Sequence, residues 1–250
     1  MHLRHADIDE CVYGNAWRER HASEKLLLAG GMLALAIGLP PFPAALLIAG
    51  GMAVFSLFGA RIPWRVYLRV MIVPAGFALI SAATVMISLT SDLRLEVAPR
   101  GAQEAARILA RSLAAVSCLS FLMLSTPVEE IVSLLRRLGM PAAIAEVMLA
   151  THRFISIFAE TAQTMWQAQT ARCGYATRRR AWRSVSLLAA SLFVHSLDRA
   201  RRMETALAAR GYEGETTWLE PRRKASAASL CAIAGAELAV VVVSIGGPWH

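Results

Sequence analysis

The sequence predicts an all-α integral membrane protein with about five transmembrane helices and a cytoplasmic region built on two long helices. Three observations carry this. The 250 residues are 56% hydrophobic and only 18% charged, with a mean hydropathy of +0.47; ordinary soluble domains carry ~25% charged residues. The apolar residues fall in long runs, as membrane spans require. The 26 Lys and Arg residues gather at the ends of those runs, so the net charge of +8 follows the positive-inside pattern of a membrane protein and is not the footprint of a nucleic-acid binder.

Residues 1–25 form a polar leader with Arg4, Arg18, Arg20 and Lys25, five acidic residues and no signal-peptide pattern. Leu26–Leu39 and Ala44–Gly59 are apolar and are separated by Pro40-Pro41-Phe42-Pro43, which reads as a membrane hairpin with a proline turn. Each arm is shorter than the ~20 residues of a full span, so the first is expected to start a turn earlier, with Lys25 snorkelling to the interface. Arg61, Arg65 and Arg69 follow, beside the interfacial aromatic Trp64. Val70–Leu89 is the third span. It contains Pro74 and Gly76, and Ala75, Ala78, Ala82 and Ala83 offer a close-packing face. A polar loop, 90–103, leads to the fourth span, Ala105–Ser125, where Arg107 and Arg111 share a face and either snorkel or line a groove. The last span, Ala225–Ile245, contains Glu237. An intramembrane carboxylate is either functional or a protonated, hydrogen-bonded structural group.

The chain thus divides into a leader with four spans (1–125), a cytoplasmic region (126–224) and a last span (225–250). Lys and Arg number 4 in the leader, 3 in the 60–69 turn, 15 in 126–224 and 4 in 90–111. A cytoplasmic N-terminus places 22 of the 26 inside, as the positive-inside rule requires.

Within 126–224, Thr126-Pro127-Val128-Glu129-Glu130 is a helix start: a capping residue, Pro at the first position and carboxylates at the positive end of the dipole. That helix has Ile131, Leu134 and Leu135 on one side and stops at Leu138-Gly139-Met140-Pro141. The first long helix then runs from Pro141 to about Arg172, its apolar residues at helical spacing. A basic turn, Arg178-Arg179-Arg180 and Arg183, faces anionic lipid. The second long helix covers Trp182–Arg210, with an apolar first half that is too short to cross a bilayer.

Both long helices end on one signal: Ala171-Arg172-Cys173-Gly174-Tyr175 and Ala209-Arg210-Gly211-Tyr212. Glycine just past a helix end closes the last turn in the left-handed conformation. Each tip therefore displays one guanidinium, whose rigid fork of donors suits a carboxylate on a partner. Taken singly, each end is also what stability alone would select; the repeat is what favours a binding role.

Other chemistry is sparse. No Gly-x-x-x-x-Gly-Lys-Ser/Thr and no His-Glu-x-x-His occurs. Cys11, Cys118, Cys173 and Cys231 have no zinc-type spacing and read as reduced. His195 with Asp198, three apart on a helix, and His152 beside Arg153 read as structural groups before they read as metal ligands.

Several segments carry a resemblance: Leu134-Leu-Arg-Arg-Leu-Gly139-Met-Pro141, Thr151-His-Arg-Phe154, Gln167–Tyr175, Asp198-Arg-Ala200, Ala209–Tyr212, and in the N-terminal half Ile8-Asp9, Asn15, Glu24-Lys25 and Gly59-Ala-Arg61-Ile-Pro63-Trp. Through these the chain resembles the transmembrane T component of energy-coupling-factor (ECF) transporters, in the cobalt/nickel-type CbiQ subfamily. The resemblance implies that the two long helices cross and that their tips, Ala171, Arg172, Cys173 and Ala209, Arg210, Gly211, insert into two cytoplasmic ABC-type ATPase subunits. It also implies a separate substrate-binding membrane subunit for cobalt or nickel, with a small auxiliary membrane subunit, in the bacterial inner membrane. The chain itself then needs no cofactor or metal, since ATP is bound by its partners. Cys173 stands where the Ala-Arg-Gly signature has its first Gly, and with Gly174 next, a cap displaced by one residue is expected. A self-contained secondary transporter or channel, or an intramembrane enzyme, would need several polar residues inside the spans or a catalytic pair at one depth; apart from Glu237 and the span-edge arginines, the spans offer neither.

The expected orientation is testable. In an otherwise Cys-free chain, His250→Cys should be labelled from outside intact cells and Arg179→Cys should not; outside labelling at 179 would invert the topology.

Overall fold

The computed structural model describes residues 12–18, 20–89, 95–97, 101–212 and 226–246. Residues 1–11, parts of the 90–100 loop and the 213–225 linker, including Arg4, Cys11 and Pro221-Arg222-Arg223-Lys224, lie outside it. The helices are α1 (Ala22–Gly38), α2 (Pro41–Val54), α3 (Trp64–Met86), α4 (Gly101–Ser125), α5 (Val128–Arg137), α6 (Ala142–Ala171), α7 (Arg178–Ala209) and α8 (Ala227–Gly246). The protein is an all-α, multi-pass integral membrane protein. A short antiparallel ladder of β1 (Ile87–Leu89) and β2 (Leu95–Val97) pairs Ile87 with Val97 and Leu89 with Leu95. The third span therefore ends as a helix at Met86, three residues before the sequence boundary.

The chain forms two units, Met1–Ile131 with Pro221–His250, and Val132–Glu220. In the first, α4 is central and packs against α1, α2 and α3. Its Ala114, Cys118, Phe121 and Leu124 are fully buried. Trp17 of the leader, Phe55 after α2 and Phe121 form an edge-to-face cluster, with ring centroids 4.9, 5.8 and 5.5 Å apart, an arrangement that adds to area burial. Ala78 and Ala82 are the buried members of the α3 small-residue face. A π-helical turn, Phe55–Gly59, follows α2, and Phe42 inside α2 departs from helical backbone. Helix α8 packs on α1 and α2.

Among the described residues, five helical segments are long and apolar enough to cross a membrane: Phe42–Gly59, Trp64–Met86, Gly101–Ser125, Ala142–Ala171 and Ala227–Ser244. Four of these correspond to spans expected from the sequence; the fifth is α6, which meets the same length and composition, and α1 is not among them. Helix α1 has 17 residues, ~26 Å at 1.5 Å per residue, against a hydrocarbon core of ~30 Å. Helix α6, read from sequence as the first coupling helix, has the necessary length and composition.

Several charged residues make contacts that the sequence pattern did not specify. Lys25 does not snorkel; it is fully buried in protein. Arg111 donates to the Leu39 carbonyl at 3.1 Å, satisfying a backbone group at the end of α1, and Arg107 pairs with Glu104 at 2.8 Å. Arg178–Arg180 form the first turn of α7 instead of a loop, because Thr177 caps that helix, its hydroxyl accepting from Arg180 N–H at 3.3 Å. Glu237 packs against Gly31 of α1, where a Cβ on Gly31 would meet its carboxylate.

Candidate coupling surface

The second unit holds α6 and α7, joined by the turn 172–177. They run antiparallel: Gln169 Nε2 donates to the Ser184 carbonyl at 3.1 Å near the turn, the Arg199 guanidinium lies over Phe154 mid-way (5.9 Å), and Tyr212 OH donates to Glu146 Oε2 at 2.5 Å at the far end. The 32 residues of α7 extend ~48 Å, so Arg172 and Arg210 stand at opposite ends of the hairpin.

The two tips are built alike. At the end of α6, Gly174 N–H donates to Gln169 O (2.8 Å) and Cys173 N–H to Thr170 O (3.0 Å). At the end of α7, Tyr212 N–H donates to Leu207 O (3.1 Å) and Gly211 N–H to Ala208 O (3.1 Å). This six-to-one and five-to-two pair of bonds is the Schellman motif, with Arg172 and Arg210 as the two C-caps. The left-handed residue is Cys173 (φ 56°) in one tip and Gly211 (φ 72°) in the other. The expected one-residue displacement at Cys173 is thus corrected: the cysteine itself takes the glycine conformation, and the arginine keeps its place. Helix α5 ends the same way, with Gly139 at φ 104° and Met140 N–H donating to Leu135 O at 3.1 Å.

Gly174 has a separate task. A Cβ there would lie 2.7 Å from Ser184 Oγ and 2.8 Å from Gln169 O. Ser184, the buried residue of α7, donates from its hydroxyl to Gly174 O at 3.0 Å. Tyr175 OH donates to Gln169 Oε1 at 2.7 Å, its ring 6.2 Å from Trp166. The Tyr after each tip glycine therefore ties that tip to α6, through Gln169 in one case and Glu146 in the other. The sequence repeat contained both tyrosines; the partner of Tyr175 is local, six residues back, whereas that of Tyr212 lies 66 residues away and depends on the hairpin pairing.

Ala171, Arg172, Cys173, Ala209, Arg210 and Gly211 are all exposed. So is a broad apolar surface on the same helices: Val147, Trp166, Trp182, Leu187, Phe193 and Val194 are each more than half exposed. His195 and Asp198 are exposed, and no cluster of three or more His, Cys, Asp or Glu suited to a metal occurs among the described residues.

The family model for CbiQ, cobalt transport protein, matches residues 14–218, a range that includes both tips. The chain belongs to the CbiQ cobalt transport protein family. It is similar to the cobalt transport protein CbiQ of Rhodobacter capsulatus, 41% identical over 96% of this chain and 98% of that protein. The CbiQ of Salmonella typhimurium is 32% identical over 83% of this chain and 97% of that protein. A protein of Methanocorpusculum labreanum, named as a fused cobalt transport protein CbiMQ, is 27% identical over 83% of this chain and 36% of its own length. Membership in the CbiQ family makes the chain a membrane component of cobalt transport.

The tip geometry makes an opposed pair of predictions. Cys173→Gly removes the cost of a side chain in the left-handed region and should stabilise the tip by about 0.5–1 kcal/mol, slowing hydrogen exchange at residues 173–174. Gly174→Val should force the turn open and speed exchange there. Equal exchange in all three proteins would mean that the cap does not hold the tip.

Proposed function

We propose that this chain is the transmembrane coupling subunit of an ATP-driven, ECF-type importer for cobalt or nickel ions. The observation that carries the reading is the pair of identical helix ends. Two C-cap arginines are held by the same Schellman bonds at opposite ends of one hairpin, an arrangement fitted to two copies of one partner site. That partner is a pair of cytoplasmic ABC-type ATPase subunits, each offering a carboxylate to one guanidinium. ATP binds to those subunits, and the chain is non-catalytic. The metal is selected by a separate substrate-binding membrane subunit, with an auxiliary membrane subunit beside it, and the exposed apolar surface of α6 and α7 suits such a neighbour.

The family resemblance supports a place in the bacterial inner membrane, and the distribution of Lys and Arg favours the N-terminus and residues 126–224 on the cytoplasmic side. The three arginines that open α7 oppose the local helix dipole, so they do not serve the helix; anionic lipid or an acidic protein surface is their natural partner. Motion of the ATPase pair moves the two tips, and the rigid turn at Gly174 carries that motion along both helices.

Truncating one member of a buried charge pair costs ~2–5 kcal/mol. Arg172→Glu or Arg210→Glu alone should weaken retention of the ATPase, and the double variant should release it and stop metal uptake while remaining folded in the membrane. Acid-to-Arg changes at the matching ATPase positions should restore part of the uptake. A double variant with full complex and full uptake would reduce the tips to ordinary helix ends.

A further inference from the structure

Lysine is almost never fully buried unless it is paired, yet Lys25 is 0% exposed. Its Nζ donates to the carbonyl of Ser125, the last residue of α4, at 2.9 Å, and to Glu130 Oε2, in the first turn of α5, at 3.1 Å. The same leader reaches the same junction twice more. Asn15 Nδ2 donates to Leu124 O at 3.2 Å, and Tyr13 OH donates to Glu129 Oε1 at 3.2 Å. The adjacent Glu24, 1% exposed, accepts from Ser226 N–H, just before α8, at 2.7 Å.

Stability alone does not account for an ion pair at this place. Replacing a buried pair by apolar side chains of similar volume is often neutral or stabilising, whereas a directed pair fixes one geometry against others. What Lys25 fixes is the start of α5. That helix begins at Val128 in the membrane unit and ends at Arg137 in the second unit, and after a four-residue break it is followed by α6.

We propose that Lys25 and Glu130 form a latch for energy coupling. They are positioning residues that hold the first turn of α5 to α1 and α4, so that movement of the α6–α7 hairpin is delivered to the membrane helices and not lost as pivoting at the α4–α5 junction. The inference rests on the coupling function proposed above. It makes the two kinds of defect distinct: tip variants lose the ATPase, whereas latch variants keep it and lose transport.

The test uses the complex purified with its own partner subunits. Glu130→Gln removes the charge and keeps the shape, and Lys25→Met combined with Glu130→Gln removes the pair without leaving a buried ion. Three quantities are read for each: ATPase retained, ATP hydrolysis and metal uptake. Both variants should retain ATPase as the unmodified chain does and continue to hydrolyse ATP. Uptake should fall at least ~5-fold, the lower end of ordinary coupling between sites. Glu130→Asp, charged but one methylene shorter, should lie between. Full uptake in the double variant overturns the latch. So does loss of folded protein or of ATPase together with uptake, which would make the pair a folding element only. An unmodified chain that binds no ATPase would instead count against the coupling function itself.

Discussion

The membrane unit depends on two adjacent buried charges, Glu24 and Lys25. They sit at the start of a short apolar helix, where a charged pair would ordinarily mark the lipid–water boundary. Here both are enclosed by protein and point to different elements: Lys25 to the end of α4 and the start of α5, Glu24 to the residue before α8. An ion left unpaired in such a place costs several kcal/mol, so these contacts must form together. One dipeptide at the start of α1 thereby ties that helix to the α4–α5 junction, 100 and 105 residues on, and to the residue before α8, 202 residues on, and α1 becomes a fixed wall for α4.

The second unit is organised by a backbone device. Three successive helices, α5, α6 and α7, stop on the same pair of reversed hydrogen bonds, and in two of them the capped residue is Arg. A C-cap is well defined in direction because its neighbours on both sides are fixed. Placing a guanidinium there gives a partner a cation whose backbone position does not vary. Little of the hairpin is buried; Ala145 and Ser184 are its enclosed residues. Its Trp166, Trp182 and Leu187 side chains are therefore exposed, and the tyrosine contacts with α6 fix where the tips stand.

Local chemistry was legible in the sequence. Helix ends at 171 and 209, the cap glycines and the proline boundaries follow from residue type alone, and the resemblance that the tips carry led to the family. What was not legible was long-range. The burial of Lys25 depends on a carbonyl and a carboxylate some 100 residues away, and Arg111 on the carbonyl of Leu39. Three consecutive arginines read as a loop, yet α7 starts at Arg178, four residues before Trp182, and the local signal for that start is Thr177, a capping residue just before them. Cys173 differs from its residue-type expectation for another reason. Its residue type disfavours the left-handed region, but the Gln169–Ser184–Gly174 contacts hold the turn firmly enough to impose it.

Cys173 also supplies the most direct measurement. It is exposed and adjacent to Arg172 at the first tip. In a chain whose other three cysteines are replaced, a water-soluble maleimide should modify Cys173 readily in the isolated membrane subunit. Once the ATPase subunits are bound, the same residue should be protected, and releasing them should restore labelling. Equal rates of modification with and without bound ATPase would contradict the claim that this tip is seated in the partner.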